Sequence, residues 1–103
     1  MTSSSNSPPP PELDRVLHQP VRTRVMTLLM QQGECDYVTL RNFLDLSDGV
    51  LSTHMKEFLE SKYVQVKKEF VKNKPRTTYR PTQLGKQRYL EYLRTLKEIL
   101  KSV

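Results

Sequence analysis

The sequence predicts a mainly helical domain with one small β-hairpin, which is an α+β fold. Apolar residues recur at helical spacing along most of the chain, for example at Val21, Val25 and Leu28. Between residues 63 and 80 this period gives way to β-branched and aromatic residues around the turn-forming sequence KNKP. The 103 residues are enough for one domain.

The first third of the chain divides into a tail, two helices and a short strand. Residues 1–11 are mostly Ser and Pro, which predicts a disordered tail before a domain spanning 12–103. Residues 12–18 suggest a short helix. Pro20 suits the first turn of the next helix, which should end near Gln32 because Gly33 follows. Residues 34–37 predict a minimal strand.

Two further helices follow, separated by a tight turn around Leu46 and Ser47. The first spans 39–46 and is expected to bury Leu40, Phe43 and Leu44. The second spans 48–61, with Ser47 or Asp48 as its N-cap. Its predicted buried stripe consists of Leu51, Met55, Phe58 and Leu59.

The hairpin is predicted from residues 63–71 and 76–80, joined by a turn at 72–75. Tyr63, Phe70 and Tyr79 are expected to be buried. Pro81 should end the second strand, and Thr82 should cap a last helix that runs to about Leu100.

The net charge of +6 is concentrated in one segment. Residues 62–80 hold seven cations and one acid, whereas the rest of the chain balances ten cations with ten acids. Such a basic hairpin favours an anionic partner. The alternative is a solvated hairpin whose lysines discourage edge-to-edge pairing.

Several function classes have no support in the sequence. It lacks a glycine-rich phosphate loop, an HExxH metal motif and a nucleophile elbow, so neither an enzyme nor a cofactor is expected. The absence of a long apolar run or signal-like start predicts a cytoplasmic protein without a membrane partner. The lone Cys35 permits no internal disulfide, and it is either a small buried apolar residue or a redox-sensitive thiol.

Two short helices joined by a tight turn predict a helix-turn-helix, whose second helix can enter the major groove of DNA. The positions opposite Leu51 on that helix, with its N-terminal residues, are predicted DNA contacts: Ser47, Asp48, Gly49, Val50, Thr53 and Lys56. His54 lies at the border of this surface, where it either contacts DNA or packs partly buried.

The hairpin directly after this motif would form a wing. Its predicted DNA contacts, on the backbone or in the minor groove, are Lys67, Lys68, Lys72, Lys74, Arg76, Thr77 and Arg80.

The last helix predicts an oligomerisation element. Tyr89, Leu93, Leu96, Leu100 and Val103 follow a heptad spacing. The early part is expected to pack within its own chain and the later part against a partner. The predicted homodimer interface comprises Leu13, Leu17, Leu93, Leu96, Ile99 and Leu100.

Three segments carry a family resemblance: LDRVLHQPVRTR at 13–24, LSDGVLSTHMKEFLESKYV at 46–64 and PRTTYRPTQLG at 75–85. Over residues 12–100 the chain resembles the small winged-helix regulators of the ArsR/MarR superfamily, in particular the compact MarR-like winged helix DNA-binding domain group. The resemblance implies a dimer built from the terminal helices, a recognition helix at 48–61 and a wing around 72–76. Metal-sensing relatives carry paired cysteines or His/Asp clusters, whereas this chain offers Cys35 and Asp36 before the turn and neither His nor Cys in its last helix. No metal site is therefore expected.

Together, these observations predict a transcriptional regulator that binds a pseudo-palindromic double-stranded DNA operator as a homodimer. The alternatives are a protein-binding winged helix, which would not need seven cations, and a non-specific architectural DNA binder. RNA binding would predict exposed aromatic side chains for base stacking. A small-molecule effector between the dimer helices is conceivable, although no set of residues argues for one.

Overall fold

The computed structural model describes residues 12–103, and the predicted disordered tail at 1–11 lies outside them. Four helices and a three-stranded antiparallel sheet confirm the predicted α+β fold. The elements in chain order are α1 (Pro20–Gln32), β1 (Cys35–Asp36), α2 (Tyr37–Leu44), α3 (Asp48–Glu60), β2 (Val64–Val71), β3 (Lys74–Pro81) and α4 (Gln83–Lys101).

The predicted helix ends are confirmed at four positions. Pro20 opens α1, and Gly33, at a φ of 85°, ends it by donating its N–H to the Leu29 carbonyl. Ser47 caps α3 and Thr82 caps α4 with their side chains. These caps satisfy backbone groups that no residue within the helix can reach.

The start of α2 differs from its predicted position. This helix begins at Tyr37 rather than at residue 39, because Asp36 accepts the Thr39 N–H and acts as the N-cap. The helix ends one residue before Asp45, which adopts a left-handed conformation.

The sheet has the strand order β1-β3-β2. β2 and β3 pair along their whole length, from Val64 opposite Pro81 to Val71 opposite Lys74. The connecting turn is the two residues Lys72 and Asn73, both with positive φ, rather than the four predicted. This geometry suits the right-handed twist of a hairpin.

The core lies between the helices and the end of the sheet that is nearest to them. α1 buries Val25, Met26 and Leu29, while α3 buries Leu51, Met55 and Phe58. The hairpin contributes Val64 and Tyr79 to this core, and its other end projects beyond it. The projecting end forms the predicted wing.

The junction between α3 and β2 is held closely against α4. A Cβ atom at Gly85 would lie 2.0 Å from the Tyr63 carbonyl oxygen. The Thr82 N–H also donates to that carbonyl, at 3.0 Å. The absence of a side chain at Gly85 therefore lets α4 start directly beside the point where the wing leaves the helix.

The predicted helix at residues 12–18 is wrong. The segment forms a turn in which the Asp14 carboxylate accepts the N–H groups of Val16 and Leu17, and the His18 N–H donates to the Asp14 carbonyl. A side chain that binds nearby backbone groups in this way competes with helix formation.

Three residues that were expected to be buried are exposed: Phe43, Leu59 and Phe70. In α2 and α3 the inward positions are taken by Leu44 and Phe58, and an adjacent residue points about 100° away around a helix. Phe70 lies in the part of the hairpin that extends past the core. Tyr63 and Tyr79 are buried as predicted.

Candidate nucleic-acid interface

The exposed start of α3 presents small side chains. Ser47, Gly49, Val50 and Thr53 are all exposed, as expected for positions opposite the buried stripe. The Thr53 hydroxyl donates to the Gly49 carbonyl at 2.9 Å, so its methyl group is the part of the side chain left free of hydrogen bonds. Small side chains on a helix N-terminus allow a close approach to base edges and to phosphates.

Asp48, at the first position of α3, is neutralised by residues of α2. Its carboxylate lies 2.9 Å from Arg41 Nη1 and accepts the Tyr37 hydroxyl at 3.0 Å. The hydrogen bond from Arg41 and then that from Tyr37 hold the pKa of Asp48 below its usual range. An acid here also interacts favourably with the helix dipole. The pair gives the start of α3 no net charge and fixes α2 against it.

The structure places His54 against Arg22, away from the exposed start of α3. His54 is half-buried, and its Nδ1 lies 3.1 Å from Arg22 Nη1. Arg22 also donates from Nε to the Val16 carbonyl, at 2.6 Å. Burial, followed by the charge of Arg22, lowers the pKa of His54. A neutral His54 therefore links α3 to the segment that precedes α1.

The wing has two chemically different faces, defined by its strand register. The outer face, directed away from the core, carries the cations Lys67, Lys74, Arg76 and Arg80. The inner face continues from the buried Val64 and Tyr79 and carries Lys68, Phe70, Pro75 and Thr77. Lys72 lies in the turn between the strands.

Two of the wing cations pair with acids among residues 12–103. Arg80 Nη2 lies 2.9 Å from Glu34 Oε1, and Lys67 Nζ lies 3.6 Å from Glu69 Oε1. Both pairs are exposed, so each contributes little to stability and can open when a stronger anion approaches. Lys68, Lys72, Lys74 and Arg76 are exposed, as is Lys56 on α3, whereas Thr77 is half-buried.

Sequence reasoning missed Arg22, Tyr37 and Arg41, whose side chains contact residues of α3. Arg41 precedes Asp48 by seven residues across a turn, a spacing that has no local signature. Arg22 precedes His54 by 32 residues. The one sequence feature that pointed to this contact was His54, a polar residue at the border between the buried and exposed sides of α3, where a hydrogen-bond partner is expected.

The first half of α4 is held inside its own chain, as expected. The Tyr92 hydroxyl lies 3.0 Å from His18 Nδ1, and the Tyr89 hydroxyl lies 2.7 Å from the Thr27 hydroxyl. Toward its C-terminus the helix becomes exposed, and Leu100 shows 67% of its surface.

Leu17 differs from the other predicted interface residues. It is 0% exposed inside its own chain and offers no surface to a partner. Leu13, Leu93 and Leu96 are partly buried against the core, and Ile99 is half-buried. Among the predicted interface residues, the accessible apolar surface is therefore on the later part of α4 and at Leu13.

A cleft lies between the segment before α1 and α4, lined in part by Asp14, Tyr63, Arg88 and Glu91. The Tyr63 hydroxyl donates to the Asp14 carboxylate. Burial and then this hydrogen bond raise the pKa of Tyr63 to about 12. The phenol thus stays protonated at neutral pH and fastens the N-terminal segment to the start of the wing.

Other kinds of site find no support in the described part of the chain. Within residues 12–103 no three His, Cys, Asp or Glu side chains lie together as metal ligands would. No helix among these residues has the length and apolar character that crossing a bilayer requires. Cys35 is buried, and burial followed by the charge of Asp36 raises its pKa.

The sequence pattern of the winged helix DNA-binding domain matches residues 21–100. The chain belongs to this family. A winged helix DNA-binding domain accounts for both the short α2–α3 pair and the basic hairpin after it, and the chain is a DNA-binding protein rather than an enzyme. The expected winged helix DNA-binding domain is confirmed by this family match, and the likeness to the ArsR family transcriptional regulator RHA00566, at 16% identity, is one of fold.

Similar proteins include the uncharacterized protein MJ0432 of Methanocaldococcus jannaschii, which is 26% identical over 86% of this chain and 97% of its own length. The transcriptional regulator homologue protein of Pyrococcus horikoshii OT3 has a TM-score of 0.81 at 25% identity, covering 86% of this chain and 88% of that one. NadR, solved in complex with 4-hydroxyphenylacetate, shares the fold with a TM-score of 0.68 at 18% identity, covering 84% of this winged helix and 64% of NadR.

Proposed function

We propose that this winged helix is a transcriptional regulator that binds double-stranded DNA sequence-specifically as a homodimer. The observation that carries the proposal is the pairing of two exposed elements. The start of α3 presents small side chains and one acid that Arg41 neutralises, and beside it projects a hairpin within the segment that holds the whole net charge.

The recognition helix supplies base contacts in this proposal. The major groove admits one α-helix, and the residues at the helix N-terminus reach the base edges. Val50 and the Thr53 methyl group suit thymine methyl groups, while Ser47 and Gly49 let the helix N-terminus come close to a phosphate. Asp48 is an anion and suits a cytosine amino group instead. Lys56 follows one turn later and would contact the backbone. His54, which binds Arg22, is left out of the proposed contacts.

The wing supplies affinity that does not depend on sequence. Lys72, Lys74 and Arg76 at its end are exposed and have a free path to the phosphates that flank the occupied groove. Lys67, Lys68, Thr77 and Arg80 extend this contact toward the body of the domain. Charges of this kind release counterions from DNA when they bind, and binding therefore weakens as salt is raised.

The later part of α4 is the proposed dimer interface. Leu100 is exposed and continues the heptad seam through Leu93 and Leu96, and the half-buried Ile99 widens this seam. Leu13 is partly buried against the core and lines the cleft with Tyr92 and Thr95 of the same helix, and it is the proposed contribution of the N-terminal segment. A twofold axis there would place two recognition helices in major grooves about 34 Å apart, which requires a pseudo-palindromic operator.

DNA binding is tested by selection from a random pool of duplexes, followed by anisotropy titration of the selected duplex and a scrambled one. With about 6–8 phosphates neutralised per dimer, log affinity should fall against log salt with a slope of roughly −5 to −7. Preference for the selected duplex supports a regulator. A steep slope without preference indicates an architectural binder. No binding at low salt contradicts the proposal and favours a protein-binding winged helix.

The dimer is tested separately by sedimentation equilibrium of Leu100→Glu. A carboxylate in the proposed seam should produce monomers, because an isolated buried charge is strongly disfavoured. Arg94→Glu is the control, since Arg94 is exposed and lies about 120° around the same helix from Leu100. Dimers that persist in Leu100→Glu, or that dissociate equally in both variants, would place the interface elsewhere.

A further inference from the structure

The wing carries an aromatic side chain that the fold leaves uncovered. Phe70 is 77% exposed on the inner face, two residues from the turn. Pro75 stands directly opposite it on β3 and is also exposed. An exposed apolar pair at the end of a charged element is costly in water unless a partner covers it.

The hairpin holds Phe70 in a defined position. Lys72 and Asn73 form a two-residue turn with φ values of 53° and 63°. Strand pairing continues up to Val71 and Lys74 on either side of this turn, so no unpaired loop residues lie beyond it. The short strand β1 pairs with β3 only at Thr78 and Tyr79, so no strand lies beside Pro75 on that edge of β3. A proline is tolerated there because its missing N–H has no strand to pair with. The apolar pair therefore projects on a rigid support.

The charges around this pair indicate what it can bind. Lys68 shares the inner face with Phe70, and Lys72 and Lys74 lie in and beside the turn. The one acid near the tip, Glu69, lies on the outer face and faces Lys67. An aromatic group among cations is complementary to a polyanion with an apolar interior, which describes the stacked bases of DNA between their phosphates.

We propose that Phe70 is an apolar wedge that enters the minor groove next to the recognition site, partly unstacks one base step and bends the duplex. Lys68 and Lys72 hold the phosphates on either side. Phe and Pro are among the residues that act as wedges in minor-groove binders, which kink DNA by about 20–90°. The inference rests on the proposed function, since it requires that the wing reach DNA.

The wedge predicts a preference outside the bases that α3 contacts. Pyrimidine–purine steps unstack at the lowest energetic cost, so the duplex should favour a TA or CA step where the wing enters. This preference would arise from DNA deformability rather than from hydrogen bonds to bases.

Two readouts on the selected duplex test the wedge. Energy transfer between dyes at the duplex ends reports the bend, and 2-aminopurine placed at successive steps reports unstacking. The wild-type protein should shorten the dye separation and raise the fluorescence at one step beside each half-site. Phe70→Ala should abolish both signals while keeping the salt slope, and Phe70→Leu should keep most of the bend.

Two control variants separate the wedge from general effects. Phe43 on α2 is 70% exposed and lies beside α1 and near Arg76 on the outer face, away from the inner face, so Phe43→Ala should keep the bend and the unstacking signal. Lys72→Ala should flatten the salt slope by about 1 per subunit and keep the unstacking signal.

The outcomes distinguish this inference from the proposed function. Tight, selective binding without bending or unstacking would overturn the wedge and leave the regulator intact, as would equal signals in wild type and Phe70→Ala. Tighter binding of single strands than of duplex, lost in Phe70→Ala, would show stacking on unpaired bases instead. Failure of the wild-type protein to bind any duplex would overturn both.

Discussion

The start of α3 and the end of the wing are neighbouring surfaces with opposite character. The start of the helix presents small side chains, and the acid at its first position, Asp48, is matched by Arg41. The wing presents cations on a hairpin that extends beyond the core. This difference supports the proposed division, in which the helix discriminates between bases and the wing supplies electrostatic affinity.

The division has a physical reason. Cations at a helix N-terminus oppose the helix dipole, whereas a β-hairpin has no dipole of comparable size. The two elements are also supported differently. α3 is held by its buried stripe and by the bonds from Arg22 and Arg41, while the wing is held by its own ladder. Base contacts need exact placement, and phosphate contacts tolerate small shifts.

The largest expected effect comes from removing the charge of the wing. The variant Lys72→Gln, Lys74→Gln, Arg76→Gln should reduce the salt slope of a dimer by roughly 5. At 50 mM salt its affinity should fall at least about a hundredfold, while the ratio between selected and scrambled duplexes is kept. Anisotropy titrations at several salt concentrations measure both quantities. A selective loss on the selected duplex would contradict the division.

Gly85→Ala should disturb both surfaces together. The new Cβ would overlap the Tyr63 carbonyl at the junction of helix and wing. Overpacking of this kind costs about 1–3 kcal/mol, and contact with backbone favours the upper end. Urea unfolding measures the loss of stability. Gly49→Ala is the matched control, because a Cβ there meets no atom within 4 Å. Equal stability of the two variants would show that α4 can shift away from the junction.

Thr53→Ala should act on discrimination alone. Loss of a methyl contact with a base should reduce the preference for the selected duplex by about tenfold. The salt slope should stay unchanged, because no cation is removed. Competition titrations with single-base variants of the duplex would locate the base concerned. An unchanged preference at every position would remove Thr53 from the readout surface.

The smallest predicted effect is a pH dependence of the folding stability that arises from His54 on α3 and from no residue of the wing. The pKa of His54 is lowered in the folded state, so the unfolded chain binds a proton more readily. The contribution of the Arg22–His54 contact to the free energy of unfolding is therefore present above about pH 6.5 and is lost as the pH falls below that value. Thermal unfolding at pH 7.5 and 5.5 should show this loss in wild type and a smaller one in His54→Gln. The same pH dependence in both proteins would show that the Arg22–His54 contact does not cause it.

The elements that local chemistry defines could be predicted from the sequence. Pro20, Gly33, Ser47 and Thr82 mark helix ends through their own backbone and side-chain preferences, and the change of hydrophobic period at residue 63 marks the hairpin. The family resemblance rested on the same segments.

The wrong predictions from the sequence concern segments whose structure depends on contacts between residues that are distant in the chain. Asp14 turns the segment before α1 and binds Tyr63, 49 residues away, which no helical period reveals. Phe70 continues an apolar strand pattern, yet the length of the hairpin relative to the core decides its exposure. Leu17 has the spacing of an interface residue but fills the core of its own chain. In each case tertiary placement, rather than residue type, decides the outcome.

The division between helix and wing is tested most directly by single variants on one pair of duplexes. The affinities of wild type, Arg76→Ala and Thr53→Ala are measured for the selected duplex and its scrambled counterpart at one salt concentration. We predict that Arg76→Ala lowers both affinities by the same factor and that Thr53→Ala changes their ratio. A changed ratio for Arg76→Ala, with an unchanged ratio for Thr53→Ala, would contradict the account.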